Sequence, residues 1–351
     1  MLMNGFNHSA AAQNIENLSL GTRDKVIINR VGGGQQILRG TIQDYTGDLI
    51  IVFLDKTRQT LSYPASQVER VETSLTEEQI AGQKLWHAGK TKEAEAKFQE
   101  ALREDSRGWM RREILGWLVR CSLKLGDRSA AGVRFQLIMQ SDSRSIHFKR
   151  IPLVWSVATA AQTPGKSLNW LNSEYAAIRL LGASDLLFDR QFGNQAHQEL
   201  LKLARNPDRR VSLLALAQLW RKSVSDTNVT ANEFQSWEQQ IERMPDEIRG
   251  GPRYILGTGY RSMQMYERAA QAFLWVPLVY DHDYQLSASA CYNAAECLHN
   301  IGQSQEALVL LREVEMRFAE STLVGPAILL RKKITAGHSS TSPQNTNLGS
   351  E

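Results

Sequence analysis

Two hydrophobic periodicities divide the chain. Between residues 23 and 73, apolar positions come in short runs separated by turn residues. Val26-Ile27-Ile28 precedes Gly32-Gly33-Gly34, and the run Ile37 to Tyr45 is broken by Thr46-Gly47. Leu49 to Leu54 is continuously apolar and short enough for a buried strand. Leu61 and Tyr63 mark a fourth strand ending at Pro64, and Val68 and Val71 mark a fifth. Short, evenly spaced strands of this kind predict a small β barrel or sandwich. A unit of about 50 residues has a marginal core and is expected to pack on the segment C-terminal to it. From residue 75 to 335 the period becomes helical, with breaks at Gly89, Gly126, Pro164-Gly165, Pro207, Pro245, Gly250-Gly251, Pro252 and Gly302. Residues 1–22 and 336–351 are polar and aperiodic, which predicts disordered tails.

A single frame recurs within the helical region. In the first hairpin Gly82 and Leu85 precede the turn at Gly89, and Ala94, Phe98 and Ala101 follow it. In the second, Leu115 and Leu118 precede Gly126, followed by Ala131, Phe135 and Ile138. Near the C-terminus Cys291, Ala294, Ala295 and Leu298 precede Gly302, followed by Ala307, Leu311 and Val314. In all three, Ala stands five residues after the glycine and a large apolar residue four beyond that. A fourth hairpin is read with Met265 at its turn, then Ala270 and Leu274. Glycine supplies the left-handed turn between antiparallel helices, Ala lets them approach, and the larger residue fills the groove.

These spacings resemble the tetratricopeptide repeat (TPR) family. The resemblance covers hairpins near 75–106, 109–141, 252–281 and 286–319, with Gly82, Gly89, Ala94, Phe98 and Ala101 carrying it best. Glu78 stands where the family has an early aromatic, and Ser106 and Ala319 stand where it has a closing proline. Residues 147–245 are helical outside that frame, and Arg205 to Arg210 is similar to a HEAT-type turn. The expected architecture is α+β and multidomain: a small N-terminal β barrel, SH3-like or Sm-like in shape, followed by an all-α, TPR-like, right-handed α-solenoid over 75–335. The resemblance implies a groove lined by the first helix of each hairpin. It places there Gln79, Gln83, Trp86 and His87, then Glu113, Arg120 and Lys124, then Tyr292, Glu296, His299 and Asn300. Gln79, Gly116 and Tyr292 occupy a position where carboxylate-clamping TPR domains carry Lys or Asn, which argues against that subclass.

Motifs for chemistry are sparse. Ala160 to Ser167 matches a loose phosphate-loop pattern. However, it holds a single glycine and a proline in a helical context, so it reads as an inter-helix turn with Ser167 as N-cap. Asp281-His282-Asp283 has no second cluster and reads as a polar loop. No HExxH or Gly-x-Ser-x-Gly occurs. Cys121, Cys291 and Cys297 are an odd number without CxxC spacing, which points to buried core residues rather than disulfides or zinc. No cofactor or metal is expected, and an enzyme is not. All eight tryptophans fall in the helical region, most as packing residues and some as binding anchors.

Charge changes this picture. The 351 residues carry 41 Lys+Arg against 37 Asp+Glu, for +4, too little for a dedicated nucleic-acid binder. Between residues 103 and 150, however, eleven bases face five acids. Arg103, Arg107, Arg111, Arg112, Arg128 and Arg134 therefore form a candidate basic patch for an acidic partner. No stretch is long enough for a membrane span. Ala10-Ala11-Ala12 is similar to a signal cleavage site, yet Met1 to His8 supplies neither a charged nor an apolar region. The sequence as given reads as cytoplasmic, or as extracytoplasmic if a start lies upstream. The function expected is a non-catalytic scaffold binding a peptide or protein surface through the groove. The alternatives are a nucleic-acid binder using the β unit and the basic hairpin, and an extracytoplasmic cell-envelope assembly factor.

Overall fold

The computed structural model describes residues 23–157, 164–226, 229–280 and 283–339. The predicted tail at 1–22, most of the one at 336–351, and the Asp281-His282 pair lie outside them. The protein is α+β, with a five-stranded antiparallel sheet followed, among the described residues, by fourteen α-helices. The strands are β1 (Asp24–Asn29), β2 (Gln35–Tyr45), β3 (Leu49–Leu54), β4 (Gln59–Pro64) and β5 (Val68–Glu72). Their order is β4-β3-β2-β1-β5.

The expected barrel does not close. The sheet is open, with β4 and β5 at its two edges. Strand β2 pairs with β1 through its first half (Asp24 opposite Gly40) and with β3 through its second (Thr41 opposite Phe53). A Cβ at Gly40 would stand 1.9 Å from the Phe53 carbonyl oxygen, so only glycine permits this change of partner. Alternate residues Val26, Ile28, Leu38, Ile42, Ile50 and Val52 form one buried layer. As expected of so small a core, that layer packs onto the neighbouring helices. Arg112 reaches Asp44 and the Tyr45 carbonyl, the Gly47 amide donates to Asp142, and Arg107 reaches Thr73.

The chain forms two compact units, Met1–Leu153 with Ala161–Asp189, and Val154–Ala160 with Arg190–Glu351. The first holds the sheet and helices α1 (Glu77–His87), α2 (Thr91–Glu104), α3 (Gly108–Lys124), α4 (Arg128–Ser141), α5 (Pro164–Leu171) and α6 (Ala176–Leu186). The second holds α7 (Gly193–Leu203), α8 (Arg209–Ser225), α9 (Ala231–Glu242), α10 (Gly250–Ser262), α11 (Tyr266–Val279), α12 (Tyr284–Asn300), α13 (Ser304–Arg317) and α14 (Val324–Ser339). The last helix thus runs past the boundary expected at 335.

The hairpins share one turn. Gly89, Gly126 and Gly302 have φ of 78°, 79° and 82°. Their amides donate three residues back, and the following amides donate five back, as in Lys90 N to Leu85 O and Gln303 N to Leu298 O. This satisfies carbonyls at the end of the first helix. The fourth hairpin turns at Gln264 (φ 58°) rather than at the expected Met265, with the same bonds to Arg261 and Tyr260. The register therefore moves back one residue, and Ala269 and Phe273, both fully buried, take the places expected for Ala270 and Leu274. The corrected register reveals a closer identity. Gly82 lies beneath the Phe98 ring, where a Cβ would sit 2.9 Å away, and Gly257 lies beneath Phe273, where it would sit 2.8 Å away. Each glycine is seven residues before its turn.

Gln264 is an L-residue in a region that disfavours a Cβ, at a cost of about 1 kcal/mol. Gln264→Gly is expected to raise stability by about that amount, and Gly89→Gln, which meets no neighbouring atom, to lower it similarly. Urea unfolding of the two variants checks both signs.

Candidate functional site

The sequence-predicted groove residues of the first unit gather partly on α1 and α3. Trp117, Arg120 and Lys124 stand three and seven positions apart on α3, which brings them to one helix face. Trp86 arrives from the last turn of α1. The Trp86 and Trp117 rings meet edge-on with centroids 6.0 Å apart, and Phe98 stacks on Trp117 at 5.4 Å. The Arg120 guanidinium lies 4.8 Å from the Trp86 centroid and 4.6 Å from that of Trp117, and the Lys124 ammonium lies 5.2 Å from Trp86. Both indoles and both cations are half-buried. Two ring faces therefore share one guanidinium, an arrangement worth about 0.5–1 kcal/mol per contact at partial exposure. Trp117 was not among the groove residues read from the sequence. Its spacing to Arg120 and Lys124 is the signal that could have found it.

The other predicted residues have different surroundings. Gln79 is buried and closes a capping box, accepting from the Thr76 amide at 2.8 Å, while its own amide donates to the Thr76 hydroxyl at 3.2 Å. Gln83 is half-buried and His87 exposed. Glu113 faces His147 Nε2 at 3.3 Å and Arg150 at 3.9 Å. In the second unit, the Tyr292 hydroxyl donates to Glu296 at 3.2 Å, and Arg261 bridges Glu296 (3.1 Å) and Asn293 (2.7 Å). His299 meets Ser304 at 3.0 Å, and Asn300 donates to the Glu296 carbonyl.

The six arginines of the basic hairpin divide by environment. Arg103 is exposed. Arg111, also exposed, donates to the Leu102 and Asp105 carbonyls at the end of α2. Arg107 makes a fork with Asp105 and reaches Thr73 and the Ser74 carbonyl. Arg112, 5% exposed, holds Asp44 at 2.5 Å, the Tyr45 carbonyl and Ser141. Arg128 donates to the Pro152 and Leu153 carbonyls. Arg134 bridges Glu95, the Leu118 carbonyl and Ser122. Most of the local positive charge is thus engaged by carbonyls and carboxylates of the same unit.

Among the described residues no group of three His, Cys, Asp or Glu could hold a metal ion, and no helix is long and apolar enough to cross a membrane. Asp283 caps α12, accepting from Leu286. Ser167 is not the N-cap expected from sequence. Helix α5 begins at Pro164, and Ser167 lies inside it, buried, donating to Asp185 at 2.6 Å. The thiols are buried as expected. Burial, with Glu95 beside Cys121 and Glu313 beside Cys291, pushes both up to about 12, and burial carries Cys297 to about 11, far from nucleophilic thiolates. The chain matches no family model, and no curated protein is similar enough to count as a relative.

His147 is 4% exposed. Burial lowers its pKa from about 6.5 to about 4; the nearby Glu113 opposes the shift, and Arg150, Lys149 and Arg112 add to it. The unfolded chain therefore binds a proton that the folded one refuses between those values. Stability should be full above pH 6.5 and fall by about 3 kcal/mol as pH drops towards 4. Denaturation midpoints across pH 4–7 are expected to show this slope, and His147→Gln to flatten it.

Proposed function

We propose that this protein is a non-catalytic interaction scaffold, built from TPR-like hairpins that pack solenoid-fashion within each unit. Its partner segment on the α1/α3 face is acidic and aromatic. The single observation that supports this reading is the cluster of Trp86, Trp117, Arg120 and Lys124. Tryptophan and arginine dominate binding energy at protein interfaces. Here the guanidinium is pre-oriented by two indoles, so little side-chain entropy remains to be lost on binding. A carboxylate meeting Arg120 and Lys124, with an apolar or aromatic neighbour against Trp86, matches both the charge and the surface. The nucleic-acid alternative is less favoured, because Arg107, Arg112 and Arg134 are engaged internally and phosphate binding draws on many cations at once.

Selection of a randomised dodecapeptide library on the immobilised full chain tests this. Enrichment of Asp or Glu beside Trp, Phe or Tyr is expected. The selected peptide should bind about 30-fold more weakly to Trp86→Ala, the effect of a hot spot worth about 2 kcal/mol, and more weakly to Arg120→Gln. Equal affinity for wild type and both variants would sink the reading.

A further inference from the structure

Every residue of α3 from Ile114 to Leu123 is buried except Trp117 and Arg120, so over that length the helix meets solvent along a single stripe. Glu113, Trp117, Arg120 and Lys124 form it, spaced four, three and four apart. Arg120 belongs to the cluster proposed to hold the partner's acidic residue. Glu113, at the other end of the stripe, lines a cavity of about 240 Å³ in the first unit between the sheet and α3. Leu75, just ahead of α1, lines it too, whereas Trp86 stands in the last turn of α1. Both helices therefore run from the cavity to the aromatic cluster.

The cavity suits an apolar group. Val71, Leu75, Met110 and Trp109 line it, and Ile146, 42% exposed, stands at its mouth. Its polar lining groups are already occupied. Thr73 donates to Asp24 and accepts from Arg107, whose guanidinium forks onto Asp105. Glu113 faces His147 at 3.3 Å and Arg150 at 3.9 Å. His147 is uncharged at neutral pH, and burial with the nearby Glu113 keeps the Tyr45 phenol protonated. The Trp109 indole N–H is itself buried and offers the cavity no donor. Arg107 is thus matched by Asp105, and Arg150 by Glu113. A charged group entering here would lose its water without gaining a counter-ion, whereas an apolar side chain gains burial. Benzene fills a cavity of about 150 Å³, so this one seats a side chain as large as leucine or phenylalanine.

The spacing follows from the helix. At a rise of about 1.5 Å per residue, the stretch of α3 from Met110 or Glu113 to Arg120 spans about 10–15 Å. An extended peptide covers that distance in about three to five residues. We infer that the sheet completes the peptide site: its cavity takes a large apolar side chain of the same partner segment, about three to five residues from the acidic residue on Arg120. This rests on the peptide-binding reading of the α1/α3 face, and it gives the β unit a part in recognition.

Synthetic peptides test it on the full chain. Each carries Glu-Trp in a Gly/Ser background, with one Leu placed two to eight residues from the Glu on either side, and the control has Ser in place of that Leu. Fluorescence anisotropy reads affinity. The ¹³C-methyl signal of Met110, assigned by Met110→Leu, reads occupancy of the cavity. Affinity is expected to peak with Leu about three to five residues away, about tenfold above the Ser control, and only those peptides should shift the Met110 signal. Ile146→Asp, at the exposed mouth, should bring the Leu/Ser affinity ratio to one. Trp86→Ala should weaken both peptides and preserve the ratio. The inference is overturned if Leu at every spacing binds no better than Ser, or if its gain ignores spacing, survives Ile146→Asp or comes without a Met110 shift. If the Ser control still binds in a Trp86-dependent way, only the assignment of the cavity falls. If no peptide binds wild type, or binding ignores Trp86→Ala, the reading of the α1/α3 face falls with it.

Discussion

Phenylalanine rings seated on absent side chains govern how helices approach in this protein. Phe98 over Gly82 and Phe273 over Gly257 bring two helices close enough that no methyl group fits between them. That contact holds only if the turn returns the chain at one particular angle, which a left-handed residue seven positions after the glycine provides. The ring, the small residue beneath it and the turn are therefore one device. When Gln264 replaces glycine at the turn, the other two members hold the backbone in place regardless. The hairpins without a glycine at the earlier position (Val119 and Ala295 stand there) keep the turn and the buried Ala but use Phe135 and Leu311 as the large residue.

Arginine is the second organising element. The sheet is too small to be self-sufficient, and guanidinium groups attach it to the helices. Arg107 gathers Asp105, Thr73 and the Ser74 carbonyl, and Arg112 gathers Asp44, the Tyr45 carbonyl and Ser141. Each satisfies several acceptors from separate segments with one planar fork, which lysine cannot do. A stretch that looks like a charged binding face is, in large measure, the joint between the β unit and its neighbours. Arg120 and Lys124, both half-buried, also lie against tryptophan rings.

Much of the fold was legible. Short apolar runs between turn residues located all five strands, and glycine spacing located three turns. The fourth was misread by one residue because Gln264 carries no glycine signal, although Gly257 and Phe273 held the frame. Barrel closure was not legible, since it depends on whether the edge strands β4 and β5 meet, which no local pattern encodes. The site was only partly legible. The TPR resemblance places Trp86, Arg120 and Lys124 together, but Gln79 is drawn into a capping box. The roles of Arg107, Arg112 and Arg134 depend on acceptors up to 68 positions away in the chain. The cavity beside Trp109 draws its lining from four separate stretches, around Tyr45, Val71 to Leu75, Trp109 to Glu113 and Ile146-His147, and leaves no mark on any of them.

Among the described residues, an open sheet leaves two rows of backbone groups without a strand beside them, a template on which another copy could add itself. Here each edge carries its own deterrent. Outermost on one side, β5 reads Val-Glu-Arg-Val-Glu, so a strand laid along it would have to bury or match Glu69, Arg70 and Glu72. On the other side, β4 ends in Pro64, which has no amide hydrogen to donate, and its Gln59 and Thr60 are exposed. Closing the ring would have protected the same groups by pairing them. Charge and an imino acid instead make each edge a poor template for another strand, and one face remains for the helices.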